Sequence, residues 1–542
     1  MGNAFVSVSK IKHSNGILSV SAASNNVCMF VLLNRFLQFF DRIIIAYILE
    51  KCLNEKMNFT EIVCVKVTVP TCHQRQAGRN CNVENHCGKG RHIIMAQLVK
   101  DMTHGKVTPL LLKFMLPMLL GNLFQQMYNV ADSAIVGRHE GANALGAIGC
   151  TGSLTFLFFA FCNGLASGAG IIVAQYFGAG NKEEVKKTLA NSFYIVVLSG
   201  ILLSFLGVLL TRPVLELLET PQSQLQDAVD YMQIICAGTI AVAVYNYAAQ
   251  VMRALGDSKT PLIFLIVATI INIALDFLFV VTLEMGVKGA AYATIVAQGI
   301  SAVGSLLYGV AKNPYFRLKK EHLKIDYRIC LLCFKVGMPL AVQSMLIAVS
   351  CVVLQRFVNG FDEAVVSAFT VTTRVEQLVQ QPFNSLGMAI ANFTGQNMGA
   401  GKSDRVHTAL KKSAWITAII SLIMLLVCYC GGNLIVGCFV KEADVIAIGT
   451  TGLKITSLMF FPLGLIYITR GLLNGANDTF YAMINGAIEV CGRIGFSFIL
   501  VKFFPIGIWA VWLATGLTWT ITGIAGFIRY KQGKWLEMKI AD

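Results

Sequence analysis

Between residues 109 and 530 the chain repeats one pattern twelve times: an apolar segment of about 20 to 30 residues, then a short polar break. Each segment is long enough to carry a helix across a hydrocarbon core. The fold this implies is all-α and polytopic, with twelve transmembrane helices. Composition agrees, since 55% of the 542 residues are hydrophobic, 13% are charged and the mean hydropathy is +0.65. A soluble chain would be nearer 25% charged.

A net charge of +15 would suit nucleic-acid binding, but the basic residues fall in alternate loops. With the segment before the first span placed in the cytoplasm, the loops on that side hold roughly 22 Lys and Arg and the opposite loops roughly 6. The richest loop carries Lys319, Lys320 and Lys324. Both termini are therefore predicted to be cytoplasmic, in a multi-pass protein of the cell's inner (plasma) membrane. Membrane lipid is the expected surrounding, no nucleic acid is expected as partner, and the chain is expected to be a monomer.

The segments are duplicated. Ala174-Gln175-Tyr176-Phe177-Gly178-Ala179-Gly180 returns as Gly395-Gln396-Asn397-Met398-Gly399-Ala400-Gly401, 221 residues later. The same offset pairs Gly256-Asp257-Ser258 with Asn477-Asp478-Thr479, and Gly286 and Thr294 with Gly507 and Thr515. Lys113 and Pro117 match Lys335 and Pro339 with one residue of slippage. Two six-helix bundles follow, 95–311 and 328–530, joined by a basic linker at 312–327 and followed by a cytoplasmic tail at 531–542. Because six is even, both enter the membrane from one side, so a pseudo-two-fold axis along the membrane normal relates them. A cavity between the bundles is expected, as in transporters that expose a midplane site alternately to each side.

Residues 1–94 do not share this pattern and read as a disordered extension, or as sequence upstream of a true start at Met95 or Met102. Their cluster Cys72, His73, Cys81, His86, Cys87 and His92 matches no compact zinc spacing, so no metal centre is expected. Cys330 and Cys333 form one isolated CxxC pair without a neighbouring His, which reads as incidental.

Polar groups inside the spans are costly and mark function. Asp276 lies within the apolar run 261–281, where a central carboxylate costs about 2.5 to 3.5 kcal/mol on insertion scales. Tyr128 and Asp132 in the first span, and Asn272 and Asp276 in the fifth, are each four residues apart and share a helix face. Asn246 and Thr294 add an amide and a hydroxyl. If these helices meet, two carboxylates ringed by hydrogen-bonding groups could exchange protons or coordinate a dehydrated cation such as sodium. The second half does not repeat the pair: Ser497 stands opposite Asp276, Arg493 opposite Asn272, and Val353 or Leu354 opposite Asp132. There, Glu376 with Gln377 and Gln380 either lines the cavity or belongs to a network with Arg374, while Glu489 and Arg493 are spaced for a structural ion pair.

Gly401-Lys402-Ser403 resembles the end of a phosphate-binding loop, but Gln396 stands where its first glycine would be, so ATP hydrolysis is not expected. No cofactor or enzyme activity is expected.

Together, Leu112-Lys113-Phe114-Met115-Leu116-Pro117, Tyr128-Asn129-Val130-Ala131-Asp132, the paired Gln175 and Gln396 motifs, Arg253-Ala254-Leu255-Gly256-Asp257 and Asn272-Ile273-Ala274-Leu275-Asp276 resemble the multidrug and toxic compound extrusion (MATE) family. The likeness covers about residue 95 to the C-terminus and is strongest to the bacterial and archaeal DNA-damage-inducible-type branch. It implies a cation-coupled antiporter that exports amphipathic, often cationic compounds, with Asp132 and Asp276 binding the coupling cation and Tyr128, Asn246, Asn272 and Thr294 as companions. Another branch of the family relies on acids in the seventh and tenth spans. Here those spans offer Gln343, Ser344, Tyr467 and Thr469. The alternatives are a lipid-linked-precursor flippase of the same superfamily, which would need a more basic cavity than the few mid-span Lys or Arg beyond Arg493 supply, and a non-transporting receptor or enzyme.

Overall fold

The computed structural model describes residues 100–218, 220–538 and 540; the N-terminal extension and its Cys/His cluster lie outside them. Among the described residues every regular element is helical. The first series is α1 (Val107–His139), α2 (Gly141–Gly178), α3 (Lys182–Leu217), a bent pair α4 (Gln222–Ala237) and α5 (Thr239–Ala254), then α6 (Lys259–Asp276) and α7 (Gly286–Lys312). The second is α8 (Tyr327–Val358), α9 (Glu363–Gly399), α10 (Ser403–Gly437), a bent pair α11 (Ala443–Ser457) and α12 (Phe460–Gly475), then α13 (Thr479–Phe503) and α14 (Ala510–Gln532).

The repeat survives in the helix boundaries. Helices α3, α4 and α5 start at 182, 222 and 239, and α10, α11 and α12 at 403, 443 and 460, again 221 residues apart. Both bent pairs break at the same repeat position, by 47° and 51°. Nine of the described helices can cross a membrane by length and composition, and each bent pair adds one span. The twelfth is α9. Its 37 residues span about 55 Å, more than a bilayer core needs, but Arg374, Glu376 and its glutamines lower its hydropathy.

Local signals set the helix ends. Asn181 Oδ1 accepts from Glu184 N at 3.2 Å to start α3, and Asp326 Oδ1 accepts from Arg328 N at 2.9 Å to start α8. Both copies of the Gln motif end on a glycine in the left-handed region, Gly180 at φ 76° and Gly401 at φ 69°, which a side chain would disfavour.

The two bundles meet mainly where α2 packs on α8 and α9, and where α1 packs on α9. Two apolar cores straddle this seam. In one, Ile172, Val185 and Val251 pack with Ile329, Val336 and Leu340; in the other, Leu111 and Phe114 pack with Leu386, Ile390 and Phe393. The outer faces of α3 and α10 are the lipid side, with Leu202, Phe205, Leu422 and Leu426 exposed. Between α7 and α8 the basic linker folds into short 3₁₀ turns and docks on α3. There His322 Nε2 meets Glu183 Oε2 at 2.6 Å, and Asp326 N donates to Asn191 Oδ1 at 2.8 Å.

Candidate functional site

The helix faces that carry the two N-terminal acids do meet. Asp132 on α1 and Asp276 at the end of α6 are both buried, with Asp276 fully so. The Tyr128 and Thr294 hydroxyls are 3.0 Å apart, tying α1 to α7. The Asn272 amide is oriented by its neighbours: its nitrogen donates to Asp276 Oδ2 at 3.0 Å and its oxygen accepts from Thr294 N at 3.3 Å. One oxygen of each carboxylate, Asp132 Oδ1 and Asp276 Oδ1, is buried without a hydrogen-bond partner among the described residues. A buried carboxylate oxygen without a donor is costly unless a proton or cation satisfies it. Those two oxygens therefore mark where an ion would be held.

Two features of this cluster escape sequence reading. Tyr231 on α4 is buried within electrostatic reach of Asp132, Tyr128 and Asp276; its own segment showed no pattern that would single it out. Directly after Asp276 the helix widens into a π-helical turn over Phe277–Thr282. Such turns often occur at functional sites. Asn246, by contrast, is half-buried and no hydrogen bond joins it to the cluster.

In the second bundle the expected group divides. Glu376 is buried, Arg374 and Gln377 are exposed, and Gln380, one turn after Glu376, accepts from Tyr467 OH at 3.0 Å, so Glu376 forms no hydrogen bond with Arg374 and Gln377 parts from Glu376 and Gln380. Alternate residues along a helix point to different sides, which is why adjacency in sequence misled here. Glu489 and Arg493 are 3.2 Å apart, and Arg470 joins them: its Nη2 donates to Glu489 Oε2 at 2.8 Å and its Nε to Asn485 Oδ1 at 3.1 Å. Arg470 is one of the few mid-span basic residues beyond Arg493, and local sequence pattern does not single it out. The signal was present in the repeat, where the mate of Arg470 is Ala249.

A cavity of about 320 Å³ lies between the bundles, walled by α2, α5, α8, α9 and α12. Asp132, Asp276 and Glu376 are not in its wall. It is closed toward the side that carries residues 100–106, 533–538 and 540. There Gln175 Nε2 donates to Gly475 O at 3.0 Å and Gln396 Nε2 donates to Ala254 O at 2.8 Å. Their oxygens accept from Ile540 N and Met102 N, both at 2.8 Å. The Asp132–Asp276 cluster and the cavity are thus separate places in one molecule.

The MatE family profile matches residues 117–278 and again 339–499, one copy in each bundle. The chain belongs to the MATE family. It is therefore a multi-pass membrane transporter and not an enzyme, which removes the receptor or enzyme alternative. Among MATE relatives, the Bacillus subtilis "Probable multidrug resistance protein YpnP" is 30% identical over 451 residues, covering 81% of this chain and 98% of the relative. The "Probable multidrug resistance protein YoeA" of the same organism is 27% identical, covering 74% and 88%. A solved MATE transporter of the MOP superfamily, described in an outward-facing conformation, superposes with a TM-score of 0.76 at 20% identity, covering 82% of this chain and 98% of that one. At that identity the likeness concerns the fold.

Proposed function

We propose that this MATE protein is a multidrug exporter of the inner (plasma) membrane, with both termini in the cytoplasm, driven by inward movement of protons or sodium ions. The observation that carries the reading is the pair of buried, unpartnered oxygens on Asp132 and Asp276, held beside Tyr128, Asn272 and Thr294 but outside the interlobe cavity. Separate ion and cargo sites allow coupling: an ion that prefers one shape of the first bundle shifts the conformation that the cargo experiences. Closure at the Gln175 and Gln396 seam places the terminal side shut, so the cavity in this state would be reached from the opposite, external side. One charge moving through 100 mV supplies about 2.3 kcal/mol, enough for about fifty-fold accumulation.

The cargo is taken to be amphipathic organic molecules, since the cavity combines Met388, Ile347 and Leu340 with several amides. The wall contains no carboxylate to support a preference for cations. The test is uptake by proteoliposomes containing the full chain, with proton and sodium gradients imposed separately. Accumulation of a fluorescent amphipath is expected under one of the two gradients and not without it. Equal accumulation regardless of either gradient would exclude ion coupling.

A further inference from the structure

The charge on the cavity wall points to a class of cargo. Of the residues that line the interlobe cavity, Arg470 is the one with a permanently charged side chain, and no Asp or Glu lines it. The guanidinium is held from behind: Nε is engaged by Asn485 and Nη2 by Glu489, while Nη1 has no partner among the described residues. Glu489 is itself shared, because Arg493 Nη2 reaches its other oxygen at 3.2 Å. Two guanidiniums on one carboxylate leave this triad with one positive charge in excess. The remaining acid nearby, Glu376, lies within electrostatic reach of Arg493 but makes no direct ion pair with either arginine, and it lies off the cavity wall. Beyond Arg470 the wall offers the Asn384 amide, which is half-buried and makes no side-chain hydrogen bond.

We infer that the interlobe cavity binds amphipathic molecules that carry a carboxylate or similar anionic group, with Arg470 Nη1 as the donor that receives it. This rests on the export reading above for what the cavity is for. A guanidinium already fixed on two of its edges offers the third without losing side-chain freedom, and charge-assisted N–H···O bonds are the stronger kind in a low-dielectric site. No existing bond has to break. A cargo that carries positive charge alone would meet a guanidinium whose counter-charge is shared with Arg493, and no acid on the wall, so the same wall discriminates against it.

The experiment compares norfloxacin, which carries a carboxylate and an amine, with its ethyl ester, which keeps the amine and loses the carboxylate. Binding of each is measured on the purified full chain in nanodiscs by equilibrium dialysis with no ion gradient, so a failure of ion coupling cannot mimic a failure here. Wild-type protein is expected to bind the acid at least tenfold more tightly than the ester. Arg470→Gln should weaken the acid about tenfold while the ester holds or tightens, and Arg470→Lys, which keeps the charge but not the planar fork, should fall between. Equal binding of acid and ester by wild type, no binding of either, or equal weakening of both by Arg470→Gln would overturn the proposal. The wild-type comparison decides even if a variant does not fold.

Discussion

Gln175 and Gln396 are crossed partners at the closed end of the seam: the carbonyl of Gln396 lies where a Cβ on Gly178 would sit, and the carbonyl of Gln175 where one on Gly399 would sit. Each glutamine side chain also reaches the end of a bent span, Gln175 to Gly475 and Gln396 to Ala254. The duplicated motif thus forms one two-sided contact between the bundles.

Gly178→Ala or Gly399→Ala should force this contact apart. Overpacking of this kind costs about 1 to 3 kcal/mol, which shifts a two-state equilibrium by about 5- to 150-fold. Hydrogen-exchange mass spectrometry should show lost protection at residues 174–180 and 395–401 together, and export should fall. Unchanged protection in both segments would mean that the seam is not a conformational gate.

Asp276→Asn and Asp132→Asn each replace an oxygen of the proposed ion site without changing side-chain size. Accumulation in everted vesicles is expected to fall by about fifty-fold, since the coupling energy of about 2.3 kcal/mol per charge is lost. Cargo binding should stay within about threefold of wild type, because neither acid lines the cavity. Parental export by either variant would remove that residue from the coupling site.

Tyr128→Phe deletes one side of the 3.0 Å contact with Thr294 and leaves both carboxylates in place. A lost hydrogen bond of about 1 kcal/mol corresponds to about a fivefold change in the apparent affinity for the coupling ion. The concentration dependence of export on the driving ion should therefore shift, while the maximal rate changes little.

Glu489→Ala leaves Arg470 and Arg493 buried with no shared counter-charge. Breaking a buried pair from one side costs about 3 to 5 kcal/mol, so the purified protein should melt several degrees lower. Glu489→Gln retains hydrogen-bond acceptors and should lie between. If Glu489→Ala melted like wild type, the triad would have no structural role.

Spans, duplication and the two acids were legible from sequence because each has a local signature. Apolar length marks a span, a constant offset of 221 marks a repeat, and the spacing of four between Tyr128 and Asp132 or Asn272 and Asp276 marks a shared face. Periodicity within one helix cannot say which neighbour a face meets. That is why Tyr231 and Arg470 were missed, why Asn246 carries no bond to the cluster it was grouped with, and why Glu376 parts from Arg374 and Gln377.

Membrane class, the twelve-span duplicated architecture and the standing of Asp132 and Asp276 as misfits in apolar helices follow from apolar length, repeat offset and residue chemistry. Their cost is a property of the residue and its medium. That the cavity lies apart from those acids, that Arg470 is its charged wall residue and that Gln175 and Gln396 close one end follow from how the helices pack. Each of these is a contact between helices far apart in the chain, where packing of two bundles, and not local pattern, sets the partner.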